Sequence, residues 1–165
     1  IYHDSTHSYI QNGTGELIIE NTADDADILF KSDDGSGGTP TYLRLDGSTK
    51  TIDIPDSIPL AFGTGDDLKI QHNGTDNFID SYNGDLNIRN HNADKDIIFK
   101  ADDGSGSLAT YFLLDGSLAD GTNFYTRFLD RSRACFGDSI DLQIFHNGSN
   151  SYVENSTGDL LLVNY

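Results

Sequence analysis

The sequence predicts an all-β protein: an elongated, repetitive β-fibre of short strands whose core is built by several chains. Three observations carry that expectation. The 165-residue chain is one repeat written a little more than twice. Ile1 to Ser48 aligns without a gap on Ile70 to Ser117 with 24 of 48 pairs identical, and a third copy runs from Ile144 to Tyr165. Apolar residues make up 36% of the chain, with no Trp and no Met, against a usual share of about 45–50%. Finally, apolar residues alternate over short runs with no helical periodicity, as half-buried strands require.

The elements are legible in the second copy, taken in order. Leu68-Lys69-Ile70, Asn77-Phe78-Ile79-Asp80, Leu86-Asn87-Ile88, Ile97-Ile98-Phe99 and Tyr111-Phe112-Leu113-Leu114 read as strands. Between them lie His72-Asn73-Gly74, Tyr82-Asn83-Gly84-Asp85, Asp102-Asp103-Gly104-Ser105-Gly106 and Asp115-Gly116-Ser117. Asn-Gly and Asp-Gly pairs supply the positive φ of tight turns. Each strand offers few inward apolar side chains. At about 25 cal/mol per Å² of buried apolar area, they do not offset an ordering cost of about 1–2 kcal/mol per residue. Stacking on neighbouring copies or on other chains makes the core continuous. The equivalent positions Leu17/Leu86/Leu160, Ile19/Ile88/Leu162 and Phe30/Phe99 are the expected core of a homotrimer, intertwined or closely packed.

The organisation follows from the repeat. Residues 1–69 are a first, amino-terminally shortened repeat with a linker at 49–61. Residues 70–143 are a second with a linker at 118–135, and 144–165 begin a third. The first linker carries Pro55 and Pro59. The second is five residues longer, aromatic and basic, with Phe124, Tyr125, Arg127, Phe128, Arg131 and Arg133. These arginines are expected to pair with neighbouring carboxylates, and the linkers to be the variable joint of the array. The chain reads as a segment of a longer protein.

Charge narrows the function classes. A net charge of −17 argues against phosphate-based binding of nucleic acid or anionic membrane. It attracts divalent cations weakly and without a defined site, and no cofactor is expected. Most Asp fall at turns, where they cap the backbone. Cys135 stands alone, so no intrachain disulfide forms, and no apolar run is long enough to insert in a membrane. The Asn-x-Ser/Thr triplets at Asn12, Asn73, Asn147 and Asn155 are turn chemistry first.

The phrases Phe62-Gly63-Thr64-Gly65-Asp66-Asp67-Leu68-Lys69-Ile70-Gln71-His72-Asn73-Gly74, Gly84-Asp85-Leu86-Asn87-Ile88-Arg89-Asn90 and Lys95-Asp96-Ile97-Ile98-Phe99-Lys100 resemble the repeats of phage tail fibres and related virion fibre proteins, especially those of marine cyanobacterial phages. The resemblance covers nearly the whole chain apart from the linkers. It implies a homotrimeric β-rich fibre located in the virion. The implied partners are other fibre or baseplate proteins, and a host surface glycan or protein reached through a tip outside this segment.

Two clusters compete for metal chemistry. His3, His72 and His146 hold one repeat position. On a threefold axis they would form a ring of three imidazoles able to hold a transition metal, and the simpler alternative is a turn-capping or cross-strand histidine. Asp33 and Asp34, repeated as Asp102 and Asp103, sit in a Gly-rich loop that resembles a calcium turn. Calcium takes about six to eight oxygens, more than this loop supplies, and the simpler alternative is an Asp-capped hairpin. No catalytic residue is expected: the carboxylates follow the repeat, where a glycosidase pair would break it. The expected function is a non-catalytic structural shaft. The alternative is an extracellular adhesin or filament repeat that binds glycan along its length.

Overall fold

The computed structural model describes residues 1–164, which contain 14 strands and no helix. In chain order the strands are β1 (Tyr2–His3), β2 (Ser8–Tyr9), β3 (Ile28–Lys31), β4 (Thr41–Asp46), β5 (Thr51–Asp53), β6 (Leu60–Phe62) and β7 (Leu68–His72). They continue as β8 (Asn77–Ser81), β9 (Ile97–Asp102), β10 (Leu108–Asp115), β11 (Tyr125–Arg127), β12 (Arg133–Phe136), β13 (Leu142–His146) and β14 (Ser151–Asn155). They form small antiparallel meanders: β1-β2, β3-β4-β5, β6-β7-β8, β9-β10-β11 and β12-β13-β14. The all-β expectation therefore holds. The chain divides into two compact units, 1–86 with the first three sheets and 87–165 with the last two.

Two kinds of meander alternate along the chain, and turn chemistry dictates where their strands reverse. In the β7–β8 hairpin the Asn73 amide donates to the Asp76 carbonyl at 3.1 Å, while the Asn73 side-chain oxygen accepts from the amides of Thr75 and Asp76. Asn147 does the same between β13 and β14, and Asp4 between β1 and β2. A short carbonyl or carboxylate side chain satisfies the two amides that the reversal strands away from any ladder. The repeat extends to irregularities. Tyr42 on β4 and Tyr111 on β10 are the extra residues of equivalent β-bulges. Each phenol donates back to the carbonyl of the aspartate at the end of the hairpin, Asp33 or Asp102, at 3.1 and 2.7 Å.

Two sequence expectations need correction. The linkers are not simple joints. Residues 49–61 contain all of β5 and open β6, and residues 118–135 contain β11 and most of β12. The variable stretch shrinks to the turns between the two meanders, because Ser57 and Arg131 already share one conformation. Both have positive φ, and their amides donate to the carbonyls of His72 and His146 at 2.8 and 2.7 Å. Second, Leu86-Asn87-Ile88 forms no strand, nor do its equivalents Leu17–Ile19 and Leu160–Leu162. Their composition suits a strand, but a strand exists only by pairing, and these segments lie outside every sheet of the chain.

The single chain has almost no interior. Leu113 and Phe145, at 6% and 9% exposure, are its buried apolar side chains among the described residues. Its accessible surface is 13486 Å². Two separate globular units, each with half of the chain's mass, would together expose about 9,700 Å². The difference is roughly 3,800 Å².

Candidate functional site

Residues directly opposite one another in a sheet share a face, so strand register identifies the surfaces that the meanders present. In β6-β7-β8 the transverse row is Leu60, Ile70 and Ile79, and in β12-β13-β14 it is Ala134, Ile144 and Val153. In the other kind of meander the rows are Ile28, Leu45 and Ile52, and Ile97, Leu114 and Thr126. Every central residue is open: Ile70 is 43% exposed, Ile144 47%, Leu45 37% and Leu114 44%. A central strand with partners on both sides normally buries at least one face. Here an apolar face of each three-stranded sheet remains in water.

Equivalent grooves line two of these faces. One, about 510 Å³, is bordered by Ile54, Leu60, Ile70, His72, Phe78 and Ile79. The other, about 550 Å³, is bordered by the corresponding Phe128, Ala134, Ile144, His146, Tyr152 and Val153. Their recurrence follows from the repeat, and their linings are dominated by carbon. They can bury apolar surface, but they do not converge polar groups on a small substrate.

The repeated histidines sit beside the rows. His72 is two residues along β7 from Ile70 and therefore on its face. Its Nδ1 shares a hydrogen bond with Asn77 Oδ1, across the hairpin, at 3.2 Å. His3 and His146 make the same bond to Ser8 and Ser151 at 3.2 and 3.1 Å. Each ring thus has one nitrogen engaged across its own hairpin. Within a single chain the three imidazoles are not brought together. Among the described residues no three His, Cys, Asp or Glu side chains are grouped to hold a metal ion.

The acidic loops are internally occupied. Asp34 Oδ1 accepts from the Ser36 hydroxyl and amide and from the Gly38 amide at 2.7, 2.8 and 3.0 Å. Asp103 Oδ1 accepts equivalently from Ser105 and Ser107, while Asp33 and Asp102 accept from the amides of Gly35 and Gly104. The serine hydroxyls first, and then the amides, hold the Asp34 and Asp103 carboxyls below the usual aspartate range. Each of these carboxylates holds its own loop through one of its two oxygens.

Charged clusters, of which the sequence marked only Arg127, lie on the opposite face of two meanders. Arg44 on β4 stands across from Asp53 and touches its carboxylate at 2.5 Å and that of Asp46 at 3.1 Å. In the next repeat Leu113 replaces Arg44, and the arginine moves to the partner strand: Arg127, directly opposite Leu113, meets Asp115 at 2.5 Å. Arg127 satisfies the expected carboxylate pairing. Asp115, 4% exposed, is the buried charge among the described residues. The Arg127 hydrogen bond, helped by the Ser117 hydroxyl, lowers its pKa to about 2. At Asp46 the Ser48 hydroxyl is the first cause of a similar lowering, also to about 2. Arg133 donates to Gln143 at 2.7 Å and lies over the Phe145 ring, 3.8 Å from its centre.

The sequence-predicted core positions Leu17, Ile19, Phe30, Leu86, Ile88, Phe99, Leu160 and Leu162 are all exposed on the single chain. Phe30 lies on β3, and Phe99 lies on β9 stacked on Phe112 at 4.4 Å. The other six lie in the segments outside the sheets. Sequence reasoning missed Ile70, Ile144, Leu45 and Leu114, the centres of the apolar rows. The available signal was the alternation Leu68, Ile70, His72, repeated as Leu142, Ile144, His146. No protein-family model, curated protein or solved structure matches this chain.

Proposed function

We propose that this chain is a non-catalytic structural segment of a homotrimeric β-fibre. In this reading it is the shaft of a phage tail fibre and spaces a receptor-binding tip from the virion. The observation that carries the reading is the open apolar face repeated on successive meanders, on a chain that exposes 13486 Å² and buries two apolar side chains among the described residues. The surplus of roughly 3,800 Å² matches the total area of obligate interfaces, about 2,000–5,000 Å². Two further copies of the same chain are the natural cover, because a face that recurs along one chain recurs at the same heights along its neighbours. The virion's other fibre or baseplate proteins would join its ends. Sedimentation equilibrium tests the core of the proposal: the expected mass is three times 18.0 kDa, and a stable, cooperatively folded monomer would refute it.

A second reading, an extracellular adhesin that binds glycan along its length, draws on Tyr42 and Tyr111. They are exposed at equivalent repeat positions, with their hydroxyls tied to the backbone and their rings available for stacking. Binding on a glycan array that is lost when both tyrosines become alanine would favour it over the shaft.

A further inference from the structure

We infer that the recurring segment at 15–21, 84–90 and 158–164 is an intermolecular β-strand, which adds to an open sheet edge of a neighbouring copy. The inference rests on the homotrimer reading and specifies how its chains join. In sequence the segment is Gly-acidic-Leu followed by an apolar-rich stretch ending in Asn: Leu17-Ile18-Ile19, Leu86-Asn87-Ile88 and Leu160-Leu161-Leu162 form its centre. Such a run has the composition of a strand, yet all three copies lie outside the sheets of their own chain with their leucines and isoleucines exposed.

The segment is nevertheless held in place. At its start the Asn12 side-chain amide donates to the Gly15 carbonyl at 3.2 Å, Ser81 Oγ donates to the Gly84 carbonyl at 3.3 Å, and Asn155 donates to the Gly158 carbonyl at 2.8 Å. Gly15, Gly84 and Gly158 all have positive φ, between 69° and 77°, so each copy leaves its meander through the same turn. At its end the Asn21 side chain donates to the Asp27 carbonyl at 3.1 Å, and Asn90 to that of Asp96 at 3.0 Å. Anchors at both ends of the first two copies, and at the start of the third, preorganise the run, which lowers the entropic cost of pairing on contact.

A second copy is the occupant that the surface supports. Three-stranded meanders leave both outer strands with unpaired backbone edges, and each chain carries several. Main-chain bonding to such an edge is β-strand addition, with side chains on alternate positions entering the apolar row beside it. The acidic residues Glu16, Glu20 and Asp159 flank the apolar centres without interrupting them, so like charges of neighbouring chains stay at the rim. The roughly 3,800 Å² surplus is large enough for this segment and the apolar rows together.

Hydrogen exchange on the full chain, with mass measured on the same sample, tests the inference. In the assembled protein the amides of residues 17–20 and 160–163 should exchange about a hundredfold or more slower than in a free peptide. Alternate amides face the partner edge, so one of Ile18→Pro and Ile19→Pro removes a ladder donor and should weaken assembly at least about tenfold, whereas the β-compatible Ile18→Thr should weaken it less. A trimer whose segment amides exchange at the free-peptide rate overturns strand addition and leaves the fibre reading standing. A stable folded monomer overturns both.

Discussion

Ile70→Asp separates a surface face from a buried interface more sharply than any other single change. On an isolated chain Ile70 is 43% exposed, and a substitution at such a site shifts stability by within about 0.5 kcal/mol. If three chains cover the row Leu60-Ile70-Ile79, the exposed part of Ile70 leaves water on assembly. Complete burial of an isoleucine is worth ~1.5–3 kcal/mol, so the remaining fraction contributes ~0.6–1.3 kcal/mol per chain. An unpaired carboxylate in its place adds a desolvation cost of ~2–4 kcal/mol per chain, or ~6–12 kcal/mol over three chains. At about 1.4 kcal/mol per tenfold in affinity, this loss abolishes assembly at micromolar concentration. Sedimentation velocity of Ile70→Asp beside Thr75→Asp, a polar turn position outside the row, reads the difference. The expected result is a chain that no longer assembles in the first and an unaltered assembly in the second. Identical sedimentation and melting of the unmodified protein and Ile70→Asp would refute the covered face.

Further outcomes follow from the charged clusters and one glycine. The Asp115 pKa, lowered to about 2, lies below an unfolded value of about 3.9. The group therefore contributes stability that is complete above about pH 4 and lost as pH falls through about 2. Asp115→Asn should lower the melting midpoint at pH 7, with a difference that shrinks towards pH 2; a constant difference would show that ionisation is not its cause. The double change Leu113→Arg with Arg127→Asp recreates the Arg44–Asp53 arrangement. A double-mutant cycle on thermal stability should return a favourable coupling, and simple additivity would exclude the proposed equivalence. Gly116 packs so closely on Lys95 that an added Cβ would collide with its carbonyl oxygen, whereas a Cβ at Gly13 meets nothing within 4 Å. Gly116→Ala should therefore lower the melting midpoint of the β9–β11 region, and Gly13→Ala should leave it unchanged, as followed by circular dichroism.

The class of the fold was legible because its signals are local. Asn73, Asn147 and Asp4 cap their turns through their own side chains, so turn positions could be read locally. The offset between copies made each reading testable against the next. Assignment of the acids to turns succeeded for the same reason, since Asp34 and Asp103 bond to amides two and four residues away. The tertiary structure decided what depends on register. Leu60, Ile70 and Ile79 become one row only through pairings made across two hairpins. Asp115, itself buried, acquires its partner from a strand twelve residues on, inside a stretch whose composition suggested a joint. Leu86 and Ile88 have strand chemistry, but propensity cannot supply the second edge that a strand requires. Their place outside the sheets appears only once every pairing within the chain has been assigned.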